Sequence, residues 1–253
     1  MSAATEYRDF RLVEKHEAWT LSGPVATRLP DPEIELLESR SMATVAEPGT
    51  MALFGFATGT WMAGAVFGDF ISPEAEIPLA IVLIFFAGIA QFIGGLFAYR
   101  RANALTSNAY CCYGAYNTVI GVLLLLAASG FMPAAGSTAT IVGWFNISFG
   151  FISLALLVAA LRKSIVASGI FFGLTCGYTL IGISMFYPAA AGGAAGAGAA
   201  AGAHQMLASS AGAVATAGGA LLFLAAVCAF YMAMALVVNS TWKRNWLPLL
   251  GDA

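Results

Sequence analysis

Six apolar runs, separated by short polar breaks, dominate the chain beyond its first 46 residues. They are Met51–Phe70, Ile77–Tyr99, Tyr110–Met132, Ser137–Leu161, Ile165–Tyr187 and Ala215–Asn239. Each exceeds the ~18 residues that mark a membrane-spanning helix candidate, and at about 1.5 Å rise per residue each can cross a hydrocarbon layer of ~30 Å. The runs are continuous, whereas a barrel strand would alternate over about 10 residues. The pattern therefore predicts an all-α membrane protein with six transmembrane helices over residues 47–245.

Outside the runs, residues 1–46 are polar and read as a cytoplasmic tail, largely disordered. The connection over 188–214 is rich in Ala and Gly and reads as a flexible outer loop. Residues 246–253 form a short C-terminal tail.

Composition agrees with this picture: 60% of the 253 residues are hydrophobic and 9% are charged, against roughly 25% charged in a soluble domain. The placement of charge says more than its sum. All 11 Lys and Arg lie in the tail (Arg8, Arg11, Lys15, Arg28, Arg40), at Arg100–Arg101, at Arg162–Lys163 and at Lys243–Arg244. With six spans these places share one side, and the positive-inside rule makes that side cytoplasmic, with both termini on it. The membrane would be a plasma or inner membrane, with an organelle membrane as the alternative. The cysteines, Cys111, Cys112, Cys176 and Cys228, lie inside apolar runs. Their spacing matches neither a zinc site nor a disulfide framework. Small residues four apart, as in Gly55, Gly59 and Ala63 or Ala225, Ala229 and Ala233, mark faces that allow close helix packing or self-association.

No Asp, Glu, Lys, Arg or His stands in the middle of a run, although such residues mark ion sites and proton relays in membranes. What remains inside is neutral and polar: Thr60, Gln91, Tyr113, Tyr116, Asn117, Asn146, Ser148, Thr175 and Tyr178 among others. Such groups can donate hydrogen bonds to a small anion or acid. They are weak compensation for a desolvated carboxylate, so a permeating acid would carry its proton or travel beside one. Gln91, Tyr113 and Asn117, on successive spans, form the best cluster, with Tyr116, Thr60 and Thr175 as further polar candidates. No nucleotide-binding, hydrolase or metalloprotease motif is present, so the chain reads as neither an enzyme nor a primary pump, with no cofactor, metal or nucleic-acid partner.

Short motifs then add a resemblance. Residues 47–56, EPGTMALFGF, resemble the N-P-A-P-L-G-L…G-F signature of the acetate uptake transporter family, the succinate–acetate permease type. Pro48, Leu53, Gly55 and Phe56 match, while Glu47 stands in place of Asn, Thr50 of Pro and Ala52 of Gly. Residues 88–105, GIAQFIGGLFAYRRANAL, are similar to the family's second-span motif at Gly88, Ala90, Gln91, Gly95, Tyr99 and Asn103, with Ala98 at its acidic position. Tyr113-Gly114, Phe171-Phe172-Gly173-Leu174-Thr175 and Tyr231-Met232-Ala233-Met234 with Asn239 continue the likeness in order. The resemblance implies a homo-oligomer, commonly a hexamer, that moves acetate and related short monocarboxylates with protons. It also implies an aromatic and aliphatic constriction, whose matches here are Phe56, Tyr113 and a fourth-span leucine placed at Leu157. Glu47 puts a negative charge at the mouth, which disfavours dicarboxylates. Two alternatives stay open: a channel for a small solute such as ammonia, water or undissociated acid, and a non-transporting membrane organiser.

Overall fold

A computed structural model describes residues 49–72, 75–131, 135–186 and 212–251, all within the unit Ala46–Ala253. The polar tail over 1–46, Glu47 and Pro48 of the signature, and 188–211 of the Ala/Gly-rich connection lie outside the described residues. Six helices carry the rest: α1 (Gly49–Phe67), α2 (Glu76–Arg100), α3 (Ala104–Ala128), α4 (Ala135–Ala160), α5 (Ile165–Ser184) and α6 (Gly212–Trp242). All six are long and apolar enough to cross a membrane. The protein is an all-helical, multi-pass membrane protein.

Helix ends differ from the apolar runs for identifiable reasons. Apolar residues continue past the point where the backbone turns. Thus α1 ends at Phe67 rather than Phe70, and α3 at Ala128 rather than Met132. In α3, Gly130 takes a left-handed conformation (φ 76°), the Phe131 N–H reaches back to the Leu126 carbonyl, and the Gly130 N–H to Ala127. This is a Schellman ending, which satisfies carbonyls that the helix itself leaves open. Asp69 at the end of α1 and Ala102 at the end of α2 play the same part with φ of 62° and 53°.

Conversely, α3 starts at Ala104, six residues before the apolar run at Tyr110. Asn103 caps it by accepting from the Thr106 N–H, and Ser107 and Asn108 return hydrogen bonds to the Ala104 carbonyl. Polar residues that read as loop are thereby satisfied inside a helix. Glu76, which falls in the polar break just before the Ile77–Tyr99 run, is instead the first residue of α2 and is buried. Residues 212–214, read as outer loop, belong to α6.

In packing, α6 joins α5 to α1, α2 joins α1 to α3, and α4 lies along α5. The contact of α3 with α4 is the sparsest between neighbours around the ring and closes it. The small-residue faces are used within the chain: Ala225, Ala229 and Ala233 are fully buried, Gly55 and Gly59 back onto α2, and Gly64 sits against Gly219 and Phe223. Large apolar side chains such as Phe85, Phe151 and Val158 are exposed on the outside, as befits a surface that meets lipid rather than water.

The chain's last described residues fold back at the basic end. Ser164 Oγ donates to the Leu249 carbonyl at 2.6 Å, and the Ile165 N–H to Leu250 at 3.0 Å. Asn239 bonds Asn245 and both backbone groups of Leu247, and the Tyr231 hydroxyl donates to Pro248. The strap ties the end of α6 to the start of α5, so Lys243–Arg244 and Arg162–Lys163 lie at one end.

Candidate functional site

Where α2 crosses α3, both backbones come unusually close. A Cβ on Gly114 would sit 2.8 Å from the Phe92 nitrogen and 2.9 Å from the Gly88 carbonyl oxygen. Only glycine permits this approach. The crossing falls beside a π-helical stretch of α2, Phe85–Ala90, directly before Gln91. Such bulges redirect a side chain and its neighbours within an otherwise regular helix. Here the Gln91 N–H bonds the Gly88 carbonyl, while the Ala87 carbonyl accepts from the Asn117 side chain at 3.0 Å.

That contact settles how the amides are turned. A carbonyl has no hydrogen to give, so the Asn117 atom that meets Ala87 is its nitrogen. Its second N–H then goes to Gln91 Oε1 at 3.3 Å. Gln91 is fully buried, and its Nε2 has no hydrogen-bond partner.

Gln91 lines a cavity that, with its mouth, encloses about 470 Å³. Leu105 and Thr106 of the first turn of α3 and Ala167 of α5 form its outer wall at the basic end; Met232 of α6 and Leu53 of α1 flank it. Its inner limit is Phe56, Tyr113 and Phe171. The walls are overwhelmingly apolar. Phe56 and Tyr113, each 2% exposed, lie with ring centroids 5.4 Å apart. Phe149, Tyr178 and Phe171 surround Tyr113 at 6.0–6.3 Å. Beyond it, Tyr116 packs closely on Phe149, Tyr178 and Phe145.

Several polar residues singled out from the sequence are already committed. Ser153 Oγ donates to the Phe149 carbonyl at 2.6 Å, which leaves it only an acceptor for the Tyr113 hydroxyl at 2.8 Å. Tyr116 donates to Asn146 Oδ1 at 2.7 Å, and Asn146 in turn to the Val142 carbonyl. Thr175 bonds the Phe171 carbonyl. Thr60 differs: its buried hydroxyl has no partner. It shares the helix face of Leu53 and Phe56, seven residues after the first and four, or one turn, after the second.

Leu53 of the signature motif lines the cavity, and Gly55 backs onto Phe86. Leu157 is half-buried against the core, while the fourth-helix ring nearest Tyr113 is Phe149. The sequence reading passed over Ser153 and Phe149. Their signal was the spacing of seven from Asn146 to Ser153, which puts two polar side chains on one face of an apolar helix.

Comparison with known proteins bears on this arrangement. Residues 31–248 match the model of the GPR1/FUN34/yaaH family. A protein of Escherichia coli strain K12 named succinate-acetate/proton symporter SatP is 27% identical over 139 residues, covering 55% of this chain and 72% of that one. Its counterpart in Shigella flexneri matches to the same extent. A solved structure described as that of the bacterial acetate channel SatP superposes with a TM-score of 0.67 at 23% identity, over 81% of this chain and 99% of the other. At that identity the superposition establishes a shared fold.

Proposed function

The chain belongs to the GPR1/FUN34/yaaH family, and from that premise we propose that it carries acetate and related short-chain monocarboxylates across its membrane together with protons. The observation that carries this reading is the buried, unpartnered Nε2 of Gln91 in a mainly apolar cavity beneath an aromatic throat. A buried donor left unmet costs about 1–3 kcal/mol. A carboxyl oxygen meets it, and the apolar walls take the methyl group. Gln91 is the recognition group in this reading, and Thr60, one turn beyond Phe56, offers a second hydroxyl on the far side. Asn117 supports Gln91, while Tyr113 and Tyr116 shape the path. Thr175 and Leu157 contribute to its walls.

Neutral donors offset little of the cost of dehydrating an ion. Among the described residues, no Asp, Glu, His, Lys or Arg stands within the interior of a span to relay a proton. The acid therefore crosses the throat in its neutral form, and the proton moves with it. Self-association of the chain into a ring, with the apolar outer faces in contact, belongs to the same proposal, as do the cytoplasmic placement of the basic end and of both termini.

That same lack of an interior charge favours the second reading, a channel through which undissociated acid simply equilibrates. Uptake of labelled acetate into liposomes holding the purified protein separates the two. Accumulation above the external level under an inward proton gradient, exceeding protein-free liposomes and abolished by a protonophore, is the coupled outcome. Faster equilibration without such excess is the channel outcome. Uptake equal to that of protein-free liposomes would sink both.

A further inference from the structure

We propose that Ser153 is the positioning residue of the aromatic throat, holding the Tyr113 ring across the path through a hydroxyl chain anchored on the Phe149 carbonyl; this rests on the reading that Phe56 and Tyr113 face each other across the route of the acid.

The direction of the chain follows from counting hydrogens. Ser153 Oγ carries one, and it goes to the Phe149 carbonyl at 2.6 Å. Tyr113, 2.8 Å away, is therefore the donor to Ser153. Both side chains are buried, Ser153 completely. The phenolic hydrogen of Tyr113 is thus spent on α4 and is not offered to a solute.

The rings around Tyr113 stand farther off than those around Tyr116. The ring centroid nearest Tyr113 is Phe56 at 5.4 Å, and the others stand at 6.0 Å or more. Tyr116, one turn on, has three neighbours at 4.6, 4.7 and 5.2 Å. Tyr113 also lines the cavity, at its inner limit. The hydroxyl bond to Ser153 therefore fixes the outer end of a ring whose ring neighbours are the more widely spaced.

The bond also bridges the weakest seam of the ring of helices, between α3 and α4. Asn146 and Ser153, seven residues apart on one face of α4, hold Tyr116 and Tyr113 of α3. Backbone-anchored acceptors fix where both tyrosines end. By setting the position of the Tyr113 ring, Ser153 sets the width of the throat, and with it which acids pass.

The test uses the full chain in liposomes and reads the ratio of lactate to acetate flux above protein-free liposomes. Lactate is the bulkier acid. Ser153→Ala is expected to raise the ratio at least threefold, Tyr113→Phe to raise it equally, and the double variant to raise it no further, since both changes delete one bond. If Ser153→Ala does not fold, Tyr113→Phe removes the same bond from the other side and reads the ratio by itself. Tyr113→Ala opens the throat outright: an unchanged ratio there would overturn the throat assignment itself. A raised ratio in Tyr113→Ala with an unchanged ratio in Ser153→Ala or in Tyr113→Phe would overturn the positioning role, and so would effects of the two single changes that multiply.

Discussion

Asn117 holds Gln91 by its oxygen. One N–H of Asn117 goes to Gln91 Oε1 at 3.3 Å and the other to the Ala87 carbonyl at 3.0 Å, so the Gln91 amide is turned with its nitrogen left over for the cavity. Two residues that look equivalent in the sequence thus have different work: both donors of Asn117 are spent inside the protein, and Gln91 is the group with a donor in reserve.

Gln91→Leu keeps the bulk and removes the donor. A hydrogen bond to a neutral carboxyl group contributes about 0.5–1.5 kcal/mol, so half-saturation for acetate is expected to rise roughly 2- to 10-fold. Gln91→Glu substitutes acceptors for donors and should depress uptake further at neutral pH. Concentration-dependent uptake in liposomes measures both, and unchanged half-saturation in Gln91→Leu would remove Gln91 from the recognition site.

Asn117→Leu strands the Ala87 carbonyl and frees the Gln91 amide to turn. The loss acts through Gln91, at about 1 kcal/mol for a neutral hydrogen bond, or roughly fivefold in half-saturation. Combined with Gln91→Leu it should add little to the affinity loss. A large additional loss in the double variant would mean that Asn117 contacts the solute itself.

Gly114→Val tests the crossing. Its Cβ would stand 2.8–2.9 Å from α2 backbone atoms that cannot move aside. Overpacking of this kind costs about 1–3 kcal/mol or more. Thermal denaturation in detergent should show a clearly lowered midpoint, with uptake lost along with it. The same change at Gly169, where a Cβ has only Cys228 Sγ at 3.7 Å, should leave the midpoint nearly unchanged.

Ser164→Ala removes the cap of α5, which accepts from the Ala167 N–H, and its bond to the Leu249 carbonyl. Loss of such a cap costs about 1 kcal/mol. Hydrogen exchange should quicken in the first turn of α5 and in 247–250 while α2 and α3 keep their protection. Equal quickening throughout would show that the strap is not a local fastening.

Much of the architecture was legible beforehand because a bilayer enforces it. Unmet backbone groups are so costly in hydrocarbon that a 20-residue apolar run has few options besides a helix. Six such runs mean six spans, and basic residues at two of the described connections and just past the last helix mark one end. Helix termini were less legible, since the endings at Asp69, Ala102 and Gly130 depend on backbone conformation rather than hydropathy.

The number of spans, the charge-free interior and the short roll of neutral polar residues from which a site could be built all follow from the order of residues along the chain. Tertiary structure alone decided which of them is available. In a membrane, lipid-facing and core-facing positions are equally apolar, so periodicity hardly separates exposed Phe85 from buried Phe56. Whether an amide or hydroxyl is spent depends on what another helix brings to it. Gly88 and Gly114 bring Asn117 to Gln91, and α4 brings Ser153 to Tyr113. Hydrogen-bond donors are finite and directional. Their allocation is a property of helices in contact, which no reading along one helix contains.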